Sequence, residues 1–273
     1  MRKSVQAWVP ATIGLTLLSG VIASAHAQFT TGVTMPLSIG DGGVLANDET
    51  KKASITDDGR YVAFESSATN LVAGDTNGAN DIFILDRLTR EVIRYSVSET
   101  GEQANGDSDF PDLTPDRTFL AFDSLASNLV PNDTNNAKDV FVLNLATGEL
   151  ELVSVNSEGE LGNGESARPE MSADGRFVAF RSAATNLVPD DTNGFYDVFV
   201  HDRQTGTTER VSVSSEGEEG DEESGFFGNP ISRDGRIVAF RSFATNLVPN
   251  DTNGQKDIFI HDRETGETTR VSV

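Results

Sequence analysis

The stretch PISRDGRIVAFRSFATNLVPNDTNGQKDIFIHDRETGETTRVSV, residues 230–273, contains every signal that the rest of the chain repeats. IVAF (237–240) is continuously apolar, as expected of a short strand covered on both faces, and DIFI (257–260) behaves likewise. TTRVSV alternates, placing Thr269, Val271 and Val273 on one face, which suits an outer strand wetted on one side. A fourth strand is expected around Ile231, ahead of the Asp234-Gly235 turn. That turn and Thr265-Gly266 close hairpins, because glycine takes positive φ without a steric penalty. No window shows a sustained helical period outside the N-terminal segment.

The same unit precedes it three times, as KASITDDGRYVAF…YSV (52–97), PDLTPDRTFLAF…VSV (111–155) and PEMSADGRFVAF…VSV (169–213). Its loop aspartates Asp75, Asp133, Asp191 and Asp251 stand 58, 58 and 60 residues apart. Four antiparallel strands recurring at this period describe a blade with two apolar faces, and such a blade buries both only by packing on neighbours. The fold class is therefore all-β, a propeller of four blades of about 58 residues, at about 39–98, 99–155, 156–213 and 214–273 within a domain spanning 28–273. A solenoid of hairpins is the alternative, although solenoid repeats are generally shorter. The pieces S-x-D-G-R-x-V-A-F-x-S and D-I-F-x-x-D-x-x-T-G resemble the TolB-like, WD40-like β-propeller repeat. Unit two departs from the pattern, with PDRT in place of the DGR turn and Asn144 in place of an aspartate.

Residues 33–38 align with an outer strand that has no blade of its own. Either four blades close a small ring, or they form part of a larger one. An open blade face of roughly 400 Å² forgoes ~10 kcal/mol of burial, so closure or homo-oligomerisation is expected.

Composition narrows the partners. The 273 residues carry 21 Lys and Arg against 43 Asp and Glu, a net charge of -22. Such a surface repels nucleic acid and anionic lipid headgroups and attracts cations or basic partners. Residues 1–27 read as a signal peptide: Arg2 and Lys3, an apolar run over 11–23, then Ala25-His26-Ala27 before the expected cut. The expected location is the periplasm or the cell exterior, with no membrane insertion. There are no cysteines, which excludes disulfides, thiolate metal sites and cysteine catalysis.

Each unit carries an acidic loop before its third strand: Asp75, Asn77 and Asp81; Asp133, Asn135 and Asp139; Asp191, Asn193 and Asp197; Asp251, Asn253 and Asp257. Oxygen-bearing side chains at alternate positions of a tight loop suit a hard cation such as Ca²⁺. The same residues also cap turns by bonding backbone N–H groups two residues on. His201 and His261 share one repeat position, held by Leu85 and Leu143 elsewhere, and read as packing residues. The run EGEEGDEESG from Glu216 reads as a solvated linker. Glu65 and Asp123 stand where Arg181 and Arg241 follow in later units, a pattern that predicts ion pairs between blades. No nucleophile elbow, phosphate loop or zinc helix motif is present.

These features predict an exported, non-enzymatic binding or scaffold propeller for a protein or glycan ligand. The resemblance implies periplasmic scaffolding and protein contacts. The alternatives are a propeller-type polysaccharide lyase or glycoside hydrolase, or a fragment of a larger propeller protein. An enzyme would need polar residues, including perturbed carboxylates, converging from different blades at one mouth.

Overall fold

The computed structural model describes Pro36, residues 38–40, 43–226, Gly228 and residues 230–272. The predicted signal peptide lies outside the described residues. Of the stretch aligned with a bladeless outer strand, Pro36 and Ser38 are described, and neither is in a strand.

Sixteen strands among these residues form four antiparallel sheets in chain order. Blade one holds β1 (Thr50–Ile55), β2 (Tyr61–Ser66), β3 (Asp81–Asp86) and β4 (Val92–Arg94). Blade two holds β5 (Ser108–Leu113), β6 (Phe119–Ser124), β7 (Asp139–Asn144) and β8 (Leu150–Leu152). Blade three holds β9 (Ser166–Met171), β10 (Phe177–Ser182), β11 (Asp197–Asp202) and β12 (Thr207–Arg210). Blade four holds β13 (Ser224–Gly225), β14 (Ile237–Ser242), β15 (Asp257–Asp262) and β16 (Glu267–Arg270). The all-β, four-blade propeller read from the repeat is the fold observed.

The two central strands of each blade are apolar on both sides because each side meets a different neighbour. One side, the back face, carries a stacked phenylalanine pair such as Phe122 and Phe141, with centroids 5.7 Å apart. The other, the front face, carries smaller residues: Ala63, Ile82 and Ile84 of blade one pack against Leu113, Leu120, Phe122 and Phe141 of blade two. Ala121, Val140, Val142 and Val153 meet Met171, Val178, Phe180 and Phe199 in the same way. The third junction joins Ala179, Val198, Val200 and Val211 to Ile231, Val238, Phe240 and Phe259. Each fully buried phenylalanine contributes ~1.5–3 kcal/mol, so these junctions hold most of the core. A backbone hydrogen bond staples each one: Ser108 N to Asn80 O at 2.8 Å, Ser166 N to Lys138 O at 2.7 Å and Ser224 N to Tyr196 O at 2.8 Å.

The expectation that every blade is covered on both sides needs correcting at blade four. Ile258 is 42% and Val271 48% exposed, whereas Val140, Val198, Val153 and Val211 are fully buried at equivalent positions. Among the described residues the hydrophobic clusters join blades one to two, two to three and three to four, while Phe64, Phe83, Leu85 and Val92 of blade one form a buried cluster of their own.

The tight turn of unit two survives its departure from DGR. Arg117 adopts φ 62, where Gly59, Gly175 and Gly235 adopt 67, 69 and 75.

The innermost strand departs from expectation in blade four. In β1, β5 and β9 the register slips once, at Lys52, after Asp109 and after Ala167. There Lys52, Phe110 and Arg168 take left-handed φ of 33, 52 and 59. Two of these bulges are pinned from the preceding blade: Glu65 accepts the Phe110 N–H at 2.6 Å, and Asp123 accepts the Arg168 N–H at 2.7 Å. Glu65 and Asp123 therefore bind backbone of the next blade, and Asp123 also pairs with Lys138 of its own blade at 3.0 Å. At the third junction the acceptor is replaced by Arg181, which has no lone pair to offer, and the two extra residues of unit four fall in this strand. β13 shrinks to Ser224–Gly225, and Ile231 keeps a single bridge to Val238.

Candidate functional site

The acidic loops are brought together as the repeat implied, each around one aspartate that opens a central strand. Asn77, Asn135, Asn193 and Asn253 donate through Nδ2 to Asp81, Asp139, Asp197 and Asp257, at 3.0, 2.8, 2.9 and 2.8 Å. Their Oδ1 atoms accept the N–H two residues on, at 3.2, 3.0, 2.7 and 2.7 Å. The same amides reach the next linker in the first three blades, bonding Ala104 O, Gly162 O and Gly220 O. Ser96, Ser154, Ser212 and Ser272 donate to the strand-opening aspartates.

Three loops also contain a resident cation. Arg94 Nη1 lies 3.2 Å from Asp75 and 3.4 Å from Asp81. Arg270 lies 3.0 Å from Asp251 and 3.5 Å from Asp257. Asp191, Asp197 and Glu219 each offer an oxygen within 4.8 Å of the others, an arrangement able to hold a metal ion. Arg210 Nη1 stands among them, 2.5 Å from Glu219, 3.7 Å from Asp197 and 3.8 Å from Asp191. Burial, with Asp197 nearby, pushes Asp191 up to about 6. In blade two the arginine position is Leu152, and burial, with the Asp133 charge nearby, drives Asp139 up to about 6. Glu219, read from sequence as part of a solvated linker, is thus a working member of this loop.

His201 and His261 are buried, with Nδ1 at 2.8 and 2.9 Å from Thr208 and Thr268 Oγ1. Each threonine hydroxyl gives its one proton to a carbonyl of the preceding linker, Val155 O or Val213 O, at 2.6 Å. Nδ1 must therefore be the donor to threonine, and burial lowers the pKa of both rings. They latch blades together.

The most varied chemistry sits where the innermost strands converge. Lys52, Ser54, Phe110, Asp112, Arg168, Glu170 and Phe226 line one cavity of about 350 Å³. Ser54, Asp112 and Glu170 are the same repeat position in successive blades, and Lys52, Phe110 and Arg168 are another. Lys52 Nζ and the Arg168 guanidinium lie 5.1 and 4.7 Å from the Phe110 ring centroid. Asp112 is anchored, accepting from Met171 N at 2.8 Å and Ser54 Oγ at 3.2 Å. Burial, then the Asp112 charge, raises Glu170 to about 9, and burial raises Asp112 as well. Both side chains keep part of their surface open toward the cavity. The pair retains one proton near neutrality, and Glu170 is the better holder because it lacks the backbone donor that stabilises Asp112. With Lys52 and Arg168 charged and Glu170 neutral, this mouth is a local donor-rich spot on an acidic protein.

Sequence reasoning missed this site because its strand carries the weakest pattern in the unit. The readable signal was variation: an otherwise repeated unit changes from Ser to Asp to Glu, and from Lys to Phe to Arg, at two positions two residues apart.

No protein-family model matches the chain, and no curated protein matches it. Among solved structures, an oligogalacturonate lyase in complex with manganese aligns over 84% of this chain and 55% of its own, at 13% identity and a TM-score of 0.50. TolB from Acinetobacter baumannii aligns over 82% of this chain and 43% of its own, at 19% identity and a TM-score of 0.48. The β-propeller domain of the Trilobed protease from Pyrococcus furiosus aligns over 84% and 58%, at 13% identity and a TM-score of 0.48. The chain spans about half the length of the solved chains it matches, and the likeness is one of fold.

Proposed function

We propose that this TolB-like β-propeller is an exported binding protein that takes a compact, carboxylate-bearing ligand at the mouth formed by its innermost strands. One observation carries the reading: Lys52, Phe110, Asp112, Arg168 and Glu170 reach a single cavity from three blades. Lys52 and Arg168 supply charge-assisted donors for a carboxylate, and protonated Glu170 supplies a neutral one. Phe110, already flanked by both cations, fixes their direction and leaves its edge for an apolar ring. The N-terminal pattern of basic, apolar and small residues supports export.

The test is a dye-based thermal shift with uronic-acid oligosaccharides beside their neutral counterparts. The acidic sugars should raise the midpoint, and Lys52→Ala with Arg168→Ala should remove the effect. Equal response to neutral sugars, or none to either, sinks the reading.

A second reading rests on the carboxylate pair. Two acids in unlike environments, one anchored and one holding a proton, are the equipment of general acid–base work on a sugar chain. Shortened or unsaturated oligosaccharides after incubation, lost in Glu170→Gln while binding remains, would identify an enzyme.

Calcium takes a narrower place in this proposal. Arginine already neutralises the loops of blades one, three and four, so the cation-responsive loop is that of Asp133, Asn135 and Asp139. A melting midpoint that ignores millimolar calcium and EDTA alike removes the ion from the account.

A further inference from the structure

The cations of the mouth continue outward over blades three and four. Arg181 and Arg241 occupy the repeat position that Glu65 and Asp123 fill in blades one and two. In β10 Arg181 stands opposite Ala167, the residue before Arg168, and in β14 Arg241 stands opposite Gly225, the residue before Phe226. Arg168 and Phe226 both line the mouth. Register therefore sets each arginine beside a mouth residue, one strand spacing, about 4.8 Å, farther from the axis.

Their charge is only loosely compensated. Arg181 Nη2 stands 4.0 Å from Glu165, whose other oxygen accepts the Tyr196 hydroxyl at 2.9 Å. Arg181 Nε is buried with no hydrogen-bond partner among the described residues, and the guanidinium lies 4.6 Å from the Tyr196 ring centroid. Burial, then the charges of Arg181 and Arg241, lower the Arg168 pKa against smaller opposite pulls from Asp123 and Glu165. The three guanidiniums therefore feel one another, and Asp123 already has Lys138 at 3.0 Å. In blade four Lys256 Nζ repeats the pairing of cation and ring, 4.3 Å from the centroid of Phe243, which is 41% exposed. At the shared position Glu65 and Asp123 each pin a bulge of the next blade. An arginine there forgoes that hydrogen bond and adds like-charge repulsion, a cost that a bound anion offsets.

We propose that Arg181 and Arg241 form a second anion subsite, so that the ligand of the mouth is an acidic oligosaccharide with one carboxylate on Lys52 and Arg168 and the next on Arg181 and Arg241. The inference rests on the reading of the mouth as a carboxylate site. The ligand runs from the axis outward over blades three and four. Guanidiniums supply paired donors for each carboxylate, and the rings of Tyr196 and Phe243 offer faces to the sugar units that carry them.

Calorimetric titration of the full chain with galacturonate, digalacturonate and digalacturonate carrying one methyl ester tests this. The dimer should bind about ten- to a hundredfold tighter than the monomer, the gain from one charge-assisted hydrogen-bonded group. Esterifying one carboxyl should remove that gain, as should Arg181→Ala combined with Arg241→Ala, leaving dimer and monomer within about threefold of each other. Circular dichroism checks that the double variant folds, and the ester comparison on the parent protein needs no variant at all. A dimer no tighter than the monomer overturns the second subsite and leaves the mouth standing. A dimer advantage that survives the ester, or survives both substitutions in a folded protein, overturns it as well. Binding of none of the three probes overturns the carboxylate reading of the mouth, and the subsite with it.

Discussion

Gly175 shows how much one missing side chain decides. It sits at φ 69, and a Cβ there would fall 2.4 Å from Phe119 Cδ2 of the preceding blade. Gly194, at φ 73, would meet nothing within 4 Å. Gly194→Ala should therefore cost only the left-handed strain, ~1–2 kcal/mol. Gly175→Ala adds overpacking of a blade junction, for a total of ~2–5 kcal/mol. Urea denaturation of the two variants measures the difference, and equal losses would show that the junction yields at no cost. Glu170 carries a second expectation. Its folded pKa, near 9, lies above the ordinary 4.5, so the extra proton is bound in the folded state. The stabilisation is full below about pH 4.5 and is lost as pH rises toward 9. Glu170→Gln should flatten that decline and be more stable than the parent at pH 8, by roughly 1–3 kcal/mol. Matching pH profiles in the two proteins would mean that Glu170 is ionised throughout. The resemblance of Lys52, Phe110 and Arg168 to nothing else in the repeat was readable beforehand, but their convergence was not, because a strand pattern does not say which strand lies innermost.

The acidic loop is the element in which sequence left two answers open. Asp-x-Asn-x-x-x-Asp is compatible with a cation cage and with a capped turn, since both use the same oxygens. Tertiary structure adds the arginine that ends the outermost strand, at Arg94, Arg210 and Arg270, and leucine at Leu152. Arg210→Leu should strand the carboxylates of Asp191 and Asp197 at a cost of ~3–5 kcal/mol. It should also make the protein calcium-responsive, since the ion would replace the guanidinium. Leu152→Arg should act in reverse, stabilising blade two and blunting any calcium effect of the parent. Thermal midpoints with EDTA and with calcium check both, and an Arg210→Leu protein insensitive to calcium would mean that the loop cannot rearrange its amide to face an ion. The innermost strand of blade four makes the complementary point. Shortening of β13 to Ser224–Gly225 coincides with replacement of the pinning acceptor by Arg181 and with two extra residues in the strand.

At the scale of the molecule the governing quantities are repetition and charge. Each blade is a docking half for the next, and the front face of blade four, with Ile258 and Val271 exposed, is left without one. A charge of -22 per chain opposes the meeting of two copies at long range. Salt screens this repulsion without weakening apolar burial. Self-association through that exposed face should therefore strengthen as ionic strength rises from 50 to 500 mM, and the melting midpoint should climb with chain concentration. A dimer that dissociates in salt would point to an ion-paired contact rather than an apolar one.

Repetition and apolar patterning, both local properties, were sufficient to establish from sequence that the chain builds four-stranded blades, because an apolar run of four residues flanked by turns has one economical way to be buried. They also located the acidic loops and the blade-to-blade histidines. Tertiary structure alone decided which residues of different blades share a space. The cation inside three of the loops, the mouth of Lys52, Arg168 and Glu170, and the exposed front face of blade four all depend on how one sheet is rotated against the next, and that rotation is set by side-chain packing between residues about 58 positions apart.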